Sequence, residues 1–394
     1  MKKTFYILLA AFIALPWGSC SKAREASVAF TGDIMMHIPV KACAESHDLG
    51  GNDTIRSLNN RGFDFLFRRI KDSLMRSDIV VGNMEFPVAP PYTGKPKIFN
   101  CRPEVVPAMK KAGFTMLTIA NNHVLDQGER GIRTTLDLLR ENKFDTIGVG
   151  YDEPSTRAGI VKEVNGIRIG FLGYTGYLNY WLPKKMVGYH LNWFYNRNEL
   201  MQDIAAMRKR CDYLVMVVHT GVEYVPGPRV TDVELFKKCI DTGVDLIIAH
   251  HPHMIQPIEK YVAPDGRPCY MFYSLGNFIS NQEARSRYMS NGVPITLRDS
   301  FIARCILTGT GRGKRPEARF EIMPIKTINI MEDNKRVIQT VSLSDEIKKL
   351  KKKLPGSSGK EKVDMEQELQ NLYQKSTAVR MFLLKKEIKE ITFN

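Results

Sequence analysis

Three histidines fall within four positions at His250-His251-Pro252-His253, directly after the apolar run 245–249. Imidazole is a common metal ligand, and its proton exchanges near neutral pH. An apolar run that ends this way reads as a buried strand delivering side chains to a site at its carboxyl end. Pro252 fixes φ and lacks an N–H, so the chain leaves the strand as a stiff turn that can hold His251 and His253 toward one point. A single histidine is more often a packed or surface residue; the argument for chemistry is that the pattern recurs. The run 27–31 leads into Gly32-Asp33, with His37 four residues on. The run 78–82 leads into Asn83-Met84-Glu85, 114–120 into Asn121-Asn122-His123, and 213–218 into His219.

In α/β sheets, ligands bind beyond the carboxyl ends of the strands. Asp33, His37, Glu85, Asn122, His219, His251 and His253 are therefore expected to converge as metal ligands. Carboxylates, imidazoles and an amide oxygen, with no thiolate, suit Mn, Fe or Zn. The composition is that of a dinuclear site, in which two divalent ions bind an oxyanion and lower the pKa of a bridging water. His123, next to the Asn122 ligand candidate, is placed to hand a proton to a leaving group. Asp126 and Glu223 are candidates to orient histidines through the second ring nitrogen. Their alternative is a cap or turn role. Asn277, beside Gly276, is a further supporting candidate or a simple turn former.

The elements that must position these residues alternate along the chain. Helical spacing runs through 63–75, 103–112, 131–142, 197–210 and 230–242. Asn165-Gly166 and Asp265-Gly266, each between β-type runs, predict hairpins and hence antiparallel pairing. Residues 174–195 are aromatic and irregular, and read as a loop over the site or an insertion. Strands are expected at 301–307 and 318–330, divided by a basic turn at 309–315. From residue 343 the composition shifts to Lys, Glu, Leu and Gln. Residues 343–394 read as two helices with a flexible link at 355–359. They form a basic helical extension, either solvated or a surface for acidic partners.

Length suits one large α/β domain, 27–330, plus that extension. The net charge of +15 favours anionic neighbours. It is spread out and lacks an arginine stripe interleaved with aromatics, so no nucleic-acid partner is expected. Lys2, Lys3 and a short apolar core at 5–15 give residues 1–19 the form of an export signal, too short to span a bilayer well. The sequence Trp17-Gly18-Ser19-Cys20 resembles a bacterial lipobox, with Trp17 where Leu is usual. That resemblance implies lipidation at Cys20, a linker at 20–26 and an exported, membrane-anchored protein of the cell envelope. Ordinary cleavage nearby and an uncleaved anchor are the alternatives. The other six cysteines contain no CxxC, and four of them sit in or beside apolar runs as small core residues.

Taken together, Gly32-Asp33, Asn83-x-Glu85, Asn121-Asn122-His123-x-x-Asp126-x-Gly128, His219-x-Gly221-x-Glu223-Tyr224, His250-His251-Pro252-His253 and Ser274-Leu275-Gly276-Asn277-Phe278 resemble the CapA family. These are bacterial capsule-synthesis proteins named for poly-γ-glutamate capsules and related to calcineurin-like metallophosphoesterases. The resemblance covers residues 27–330. It implies a four-layer fold, a β-sandwich flanked by helices. It also implies that Asp33, Glu85, Asn122, His219, His251 and His253 match the metal ligands and His123 the catalytic histidine. Two departures bear on the first metal position. Met35 stands where the phosphatases place a histidine, and Glu85 where they place a bridging aspartate, which leaves the site with one ion or two. Two functions follow: a metal-dependent hydrolase or transferase acting on a cell-surface polymer or phosphoester, or a non-catalytic envelope component that helps export or anchor an anionic polymer, with capsule-export partners.

Overall fold

Alternation along the first strand sets the layers. In Arg24–Ile34, Val28 and Phe30 point into one core and Ala29 into another, as the two-residue period of a strand requires; an irregularity between Phe30 and Asp33 then puts Ile34 on the side of Ala29. A strand buried on both faces needs a layer on each side. The computed structural model describes residues 24–283, 288–309, 314–384 and 387–394. The expected export signal 1–19, Cys20 and most of the basic turn after Gly309 lie outside them.

The fold is mixed α/β in four layers. A nine-stranded sheet runs Lys335–Ser342, Glu317–Glu332, Asp299–Gly309, Arg24–Ile34, Ile79–Met84, Met116–Thr118, Asp145–Ile147, and Asn277–Ile279 and Ile391–Phe393 pair beside this path. Pairing is parallel from Arg24–Ile34 to Asp145–Ile147 and antiparallel from Asp299–Gly309 outward. A six-stranded sheet runs Ile258–Val262, Pro268–Phe272, Leu246–His250, Tyr213–His219, Ile167–Thr175, Ile160–Val164. Its three central pairings are parallel and its two outer ones antiparallel. One apolar core fills the space between the sheets, with Phe30 and Val81 facing Val215, Ile248 and Phe272. The larger sheet's other face packs on Ile38–Ser46, Val105–Ala112 and Gly128–Glu141. The smaller sheet's other face packs on Arg197–Arg208 and Val230–Thr242.

Both expected hairpins form. At Asn165-Gly166 both residues take positive φ, 49° and 76°, the geometry of a tight two-residue hairpin turn. The span read as one helix from 63 to 75 is instead two short helices, Phe63–Phe67 and Lys71–Leu74. Its apolar face survives the break, because Phe63, Leu66, Phe67, Ile70 and Leu74 are all buried. The strand Lys335–Ser342 was not expected. Asp333-Asn334 turns the chain with φ of 47° and 61°, a hairpin without the glycine that usually announces one.

The C-terminal stretch is more than a solvated helical extension. After helices Leu343–Lys353 and Gly359–Leu383, the chain ends in the strand Ile391–Phe393, parallel to Phe320–Ile322. Ala378, Val379, Leu383, Ile388 and Ile391 enter the core between the sheets. These residues come from the end of the second helix and the segment after it, whereas the lysine-rich helix buries only Leu343.

Candidate metal centre

The site lies where the carboxyl ends of strands from both sheets meet. The larger sheet supplies Asp33 and Asn83 as aligned neighbours on adjacent parallel strands, with Glu85 just beyond. The smaller sheet supplies His219 and His250, also aligned neighbours. Asn277–Ile279 runs parallel to the end of Arg24–Ile34, with Asn277 beside Asp33.

Close backbone approach makes this possible. The Asp33 N–H donates to the Gly276 carbonyl at 2.9 Å. A Cβ at Gly32 would stand 2.0 Å from the Gly276 carbonyl oxygen, so only glycine fits before Asp33. The histidine turn is held in uncommon backbone. His251 has φ 101° and His253 φ 55°, left-handed conformations on either side of Pro252, of the kind that cluster at functional sites. Gly221 lies under that turn, where a Cβ would meet the Pro252 ring at 3.0 Å.

Asp33, Glu85 and His253 each present a donor atom, all within 4.8 Å of one another. All three side chains are buried. Asp33 Oδ2 is 3.0 Å from His253 Nδ1, and Asp33 Oδ1 is 3.1 Å from His250 Nδ1. The Asn83 amide donates to Asp33 Oδ1 at 2.8 Å and to Glu85 Oε2 at 3.2 Å. Glu85 Oε1 faces His253 Nε2 at 3.6 Å and His219 Nε2 at 3.9 Å. It is buried with no hydrogen-bond partner among the described residues, as is His251 Nδ1. His219 Nε2 is 2.8 Å from Asn122 Oδ1, and the rings of His219 and His251 are 4.9 Å apart.

These groups fit divalent ions. Donor atoms at about 2.1 Å from one ion stand roughly 3–4 Å from each other, and one donor atom from each of Asp33, Glu85 and His253 lies within 4.8 Å of the others. A buried carboxylate oxygen with no donor is costly unless a cation or proton meets it. Asp33, Glu85 and His253 form one such set; His219 lies beside Glu85, and Asn122 and His251 beside His219. His37 is not drawn in. It stands at the N-terminal boundary of Ile38–Ser46, which Pro39 starts, and its Nδ1 accepts from the Asn281 N–H at 3.2 Å. It lines the cleft instead.

Burial and neighbouring charges set the protonation. Burial alone would raise the Asp33 carboxyl, but hydrogen bonds from His250 and His253 outweigh it and hold it well below its usual value. Glu85 is pushed well above its usual value by burial, with Asp33 and Glu223 adding to the effect. Burial drives His219 down, and the His251 ring adds to it. Burial lowers His251 to about 3 and His37 to about 4, each reinforced by the neighbouring His253. Imidazoles held neutral at His219 and His251, a carboxyl held low at Asp33 and one pushed up at Glu85 suit a cation, which can take the place of a proton on Glu85.

His123 stands beside this cluster. Its Nδ1 is 2.7 Å from Asp126 Oδ2, its ring stacks on Phe99 at 4.1 Å, and Asp126 also accepts from the Phe99 N–H. A cleft of about 890 Å³ opens here, lined by His123, His253, Lys41, Lys95, Lys97 and Tyr180 among others. Lys95 and Lys97 flank a tight turn closed by hydrogen bonds between Lys95 and Ile98.

The chain matches the family described as "Bacterial capsule synthesis protein PGA_cap" over residues 27–282. It is 31% identical to the capsule biosynthesis protein CapA of Bacillus anthracis, over 71% of this chain and 66% of that one. The chain belongs to the bacterial capsule-synthesis family. It is also 31% identical to the PGA biosynthesis protein CapA of Bacillus subtilis, over 76% of this chain and 71% of that one. A Staphylococcus aureus protein assigned as a 5′-nucleotidase, with alpha-ketoglutarate bound, aligns at TM-score 0.45 and 13% identity, over 79% of this chain and 56% of that one. The CapA relatives are thus aligned over about two thirds of their length.

In this CapA-family chain, sequence reasoning left several contributors unassigned. His250 was part of the motif but had no role; it partners Asp33. Asn83 bridges both carboxylates, and its place two residues before Glu85 was the available signal. Asn179, from the aromatic loop, accepts from Asn122 Nδ2 at 3.2 Å and lies 3.3 Å from His123 Nδ1; nothing in its sequence context marked it. Glu223 lines the cleft and makes no hydrogen bond to a ligand histidine among the described residues. Asn277 makes no hydrogen bond to a ligand side chain among the described residues, but its amide donates to the His253 and Leu297 carbonyls at 3.1 and 2.9 Å. It therefore holds the backbone of the histidine turn.

Proposed function

We propose that this chain is an exported, lipid-anchored, metal-dependent hydrolase or transferase that acts on an amide or phosphoester of an anionic cell-surface polymer. One observation carries the reading: buried, unpartnered Glu85 Oε1 and His251 Nδ1 stand beside the His123–Asp126 pair in a lysine-lined cleft. Bound divalent ions would supply Lewis acidity and an activated water, held by Asp33, Glu85 and His253 and by Asn122, His219 and His251. Asp126 accepts the proton on His123 Nδ1, which fixes the tautomer and leaves Nε2 as the position that exchanges a proton with a leaving group. Phe99 fixes the ring plane. Lys41, Lys95 and Lys97 attract carboxylate or phosphate groups, and Lys95 and Lys97 have no ion-pair partner among the described residues. The names of the CapA relatives fit a polymer of glutamate as the anionic substrate.

The test combines elemental mass spectrometry with turnover. The wild-type chain should carry stoichiometric Mn, Fe or Zn, and a His251→Ala/His253→Ala variant should lose it. His123→Ala should keep the metal while hydrolysis of glutamyl amides and phosphoesters falls by about 10²–10⁴-fold. Unchanged turnover in His123→Ala would overturn the assignment. Metal-free protein after reconstitution would leave the non-catalytic envelope role.

A further inference from the structure

The aromatic loop does more than touch the site. Residues 177–187 read Tyr-Leu-Asn-Tyr-Trp-Leu-Pro-Lys-Lys-Met-Val. Trp181 is 95% exposed, and Tyr180, Leu182 and Val187 are 41%, 39% and 54% exposed. Trp181 has no ring or cation contact among the described residues. Lys184 and Lys185 are exposed and have no ion-pair partner among the described residues. An indole at a loop tip with aliphatic neighbours is costly in water and gains nothing in the fold. The loop is nevertheless fixed at both ends. The Asn179 N–H donates to the Asn122 carbonyl at 3.2 Å, and Arg133 donates to the Val187 carbonyl at 2.9 Å.

We propose that residues 177–187 form an interfacial hook that seats the mouth of the cleft on an anionic lipid bilayer. Trp and Tyr rings favour the headgroup level, aliphatic side chains the acyl boundary, and lysines the anionic headgroups. This loop presents all three side by side. A polyanion would use the lysines and could stack on Trp181, but it has no use for exposed Leu182 and Val187. Ile38, which lines the same cleft as Tyr180, is 48% exposed. The proposal is independent of catalysis, because it concerns where the cleft faces.

The test uses the full chain with vesicles of equimolar phosphatidylcholine and phosphatidylglycerol. Subtracting the emission of Trp181→Phe from that of the wild type isolates the Trp181 signal from Trp17 and Trp193. That difference should shift to the blue on vesicle addition and be quenched by lipids brominated near the headgroup. Lys184→Gln/Lys185→Gln should weaken the Trp181 shift as a function of lipid concentration by about thirtyfold, from about fivefold per lysine. Thermal unfolding of both variants should match the wild type, since the altered side chains are exposed. An unshifted Trp181 difference signal with vesicles overturns the hook. So does a shift produced by soluble poly-γ-glutamate in place of vesicles, which would make the loop a polymer site.

Discussion

Replacing Glu85 with Gln should stabilise the metal-free protein and destabilise the metal-loaded one. In the metal-free chain Glu85 is buried and Oε1 has no donor. Gln keeps an oxygen for the Asn83 amide and turns an NH₂ toward His253 Nε2, 3.6 Å from Oε1. That nitrogen is free to accept because His253 Nδ1 is engaged with Asp33. Relieving an unsatisfied buried acceptor is worth about 1–3 kcal/mol. With about 2.1 cal/mol/K per residue, the 394-residue chain has an unfolding entropy of about 0.8 kcal/mol/K. The variant should therefore melt about 1–4 °C higher in chelator. The sign with pH follows from the raised Glu85 carboxyl. The folded state holds the proton that the unfolded state releases, so the penalty is absent below the unfolded value near 4.3 and grows as pH rises. The variant's advantage should grow likewise. Added Mn or Zn at about a hundred times its Kd should stabilise the wild type by about 2.7 kcal/mol, or about 3 °C, and the variant far less. Differential scanning calorimetry with and without chelator reads both effects. A variant less stable than wild type in chelator, or equal metal stabilisation of both, would refute the reasoning.

Asn277→Ala should weaken metal binding by about 10–100-fold in a chelator competition, because the histidine turn loses the donor to its backbone. Gly32→Ala should cost at least about 3 kcal/mol by urea denaturation, since the new Cβ overlaps the Gly276 carbonyl. Ile391→Asp should cost about 3 kcal/mol by the same measurement, with no loss if the C-terminal segment were merely solvated. In chelator, the urea midpoint of the wild type should fall as pH drops from about 6.5 toward the value of about 4 for His37. There the unfolded chain takes up protons that the buried His37, His219 and His251 refuse.

Much of the site was legible because strand ends advertise themselves. An apolar run that stops at Asp33, His219 or His250 leaves few interpretations, and parallel pairing places those ends side by side. Glycines next to site residues were visible but not their reason: Gly32 and Gly276 answer each other across 244 positions of sequence, and no local pattern records such a crossing. His37 stands outside the Asp33, Glu85 and His253 group, on the cleft that His253 also lines, because distance along the chain says nothing about direction and Pro39 starts a helix directly after it. The Asp333-Asn334 turn escaped because it lacks glycine. The C-terminal residues were read by charge, whereas the short apolar stretch around Ile391 decides where they dock.

The pairing order carries a consequence for synthesis. Arg24–Ile34 takes Asp299–Gly309 as its antiparallel neighbour, and Ile391–Phe393 closes the core beside Glu317–Glu332. At about 5–20 residues per second, the first strand waits tens of seconds for that neighbour. Until then its apolar faces have only a partial cover, from the earlier strand Ile79–Met84. Asp33 and Glu85 come from one sheet and His253 from the end of the other, so any metal they hold would have to wait until both sheets have formed their shared rim, and loading would be a late event that reports a finished fold.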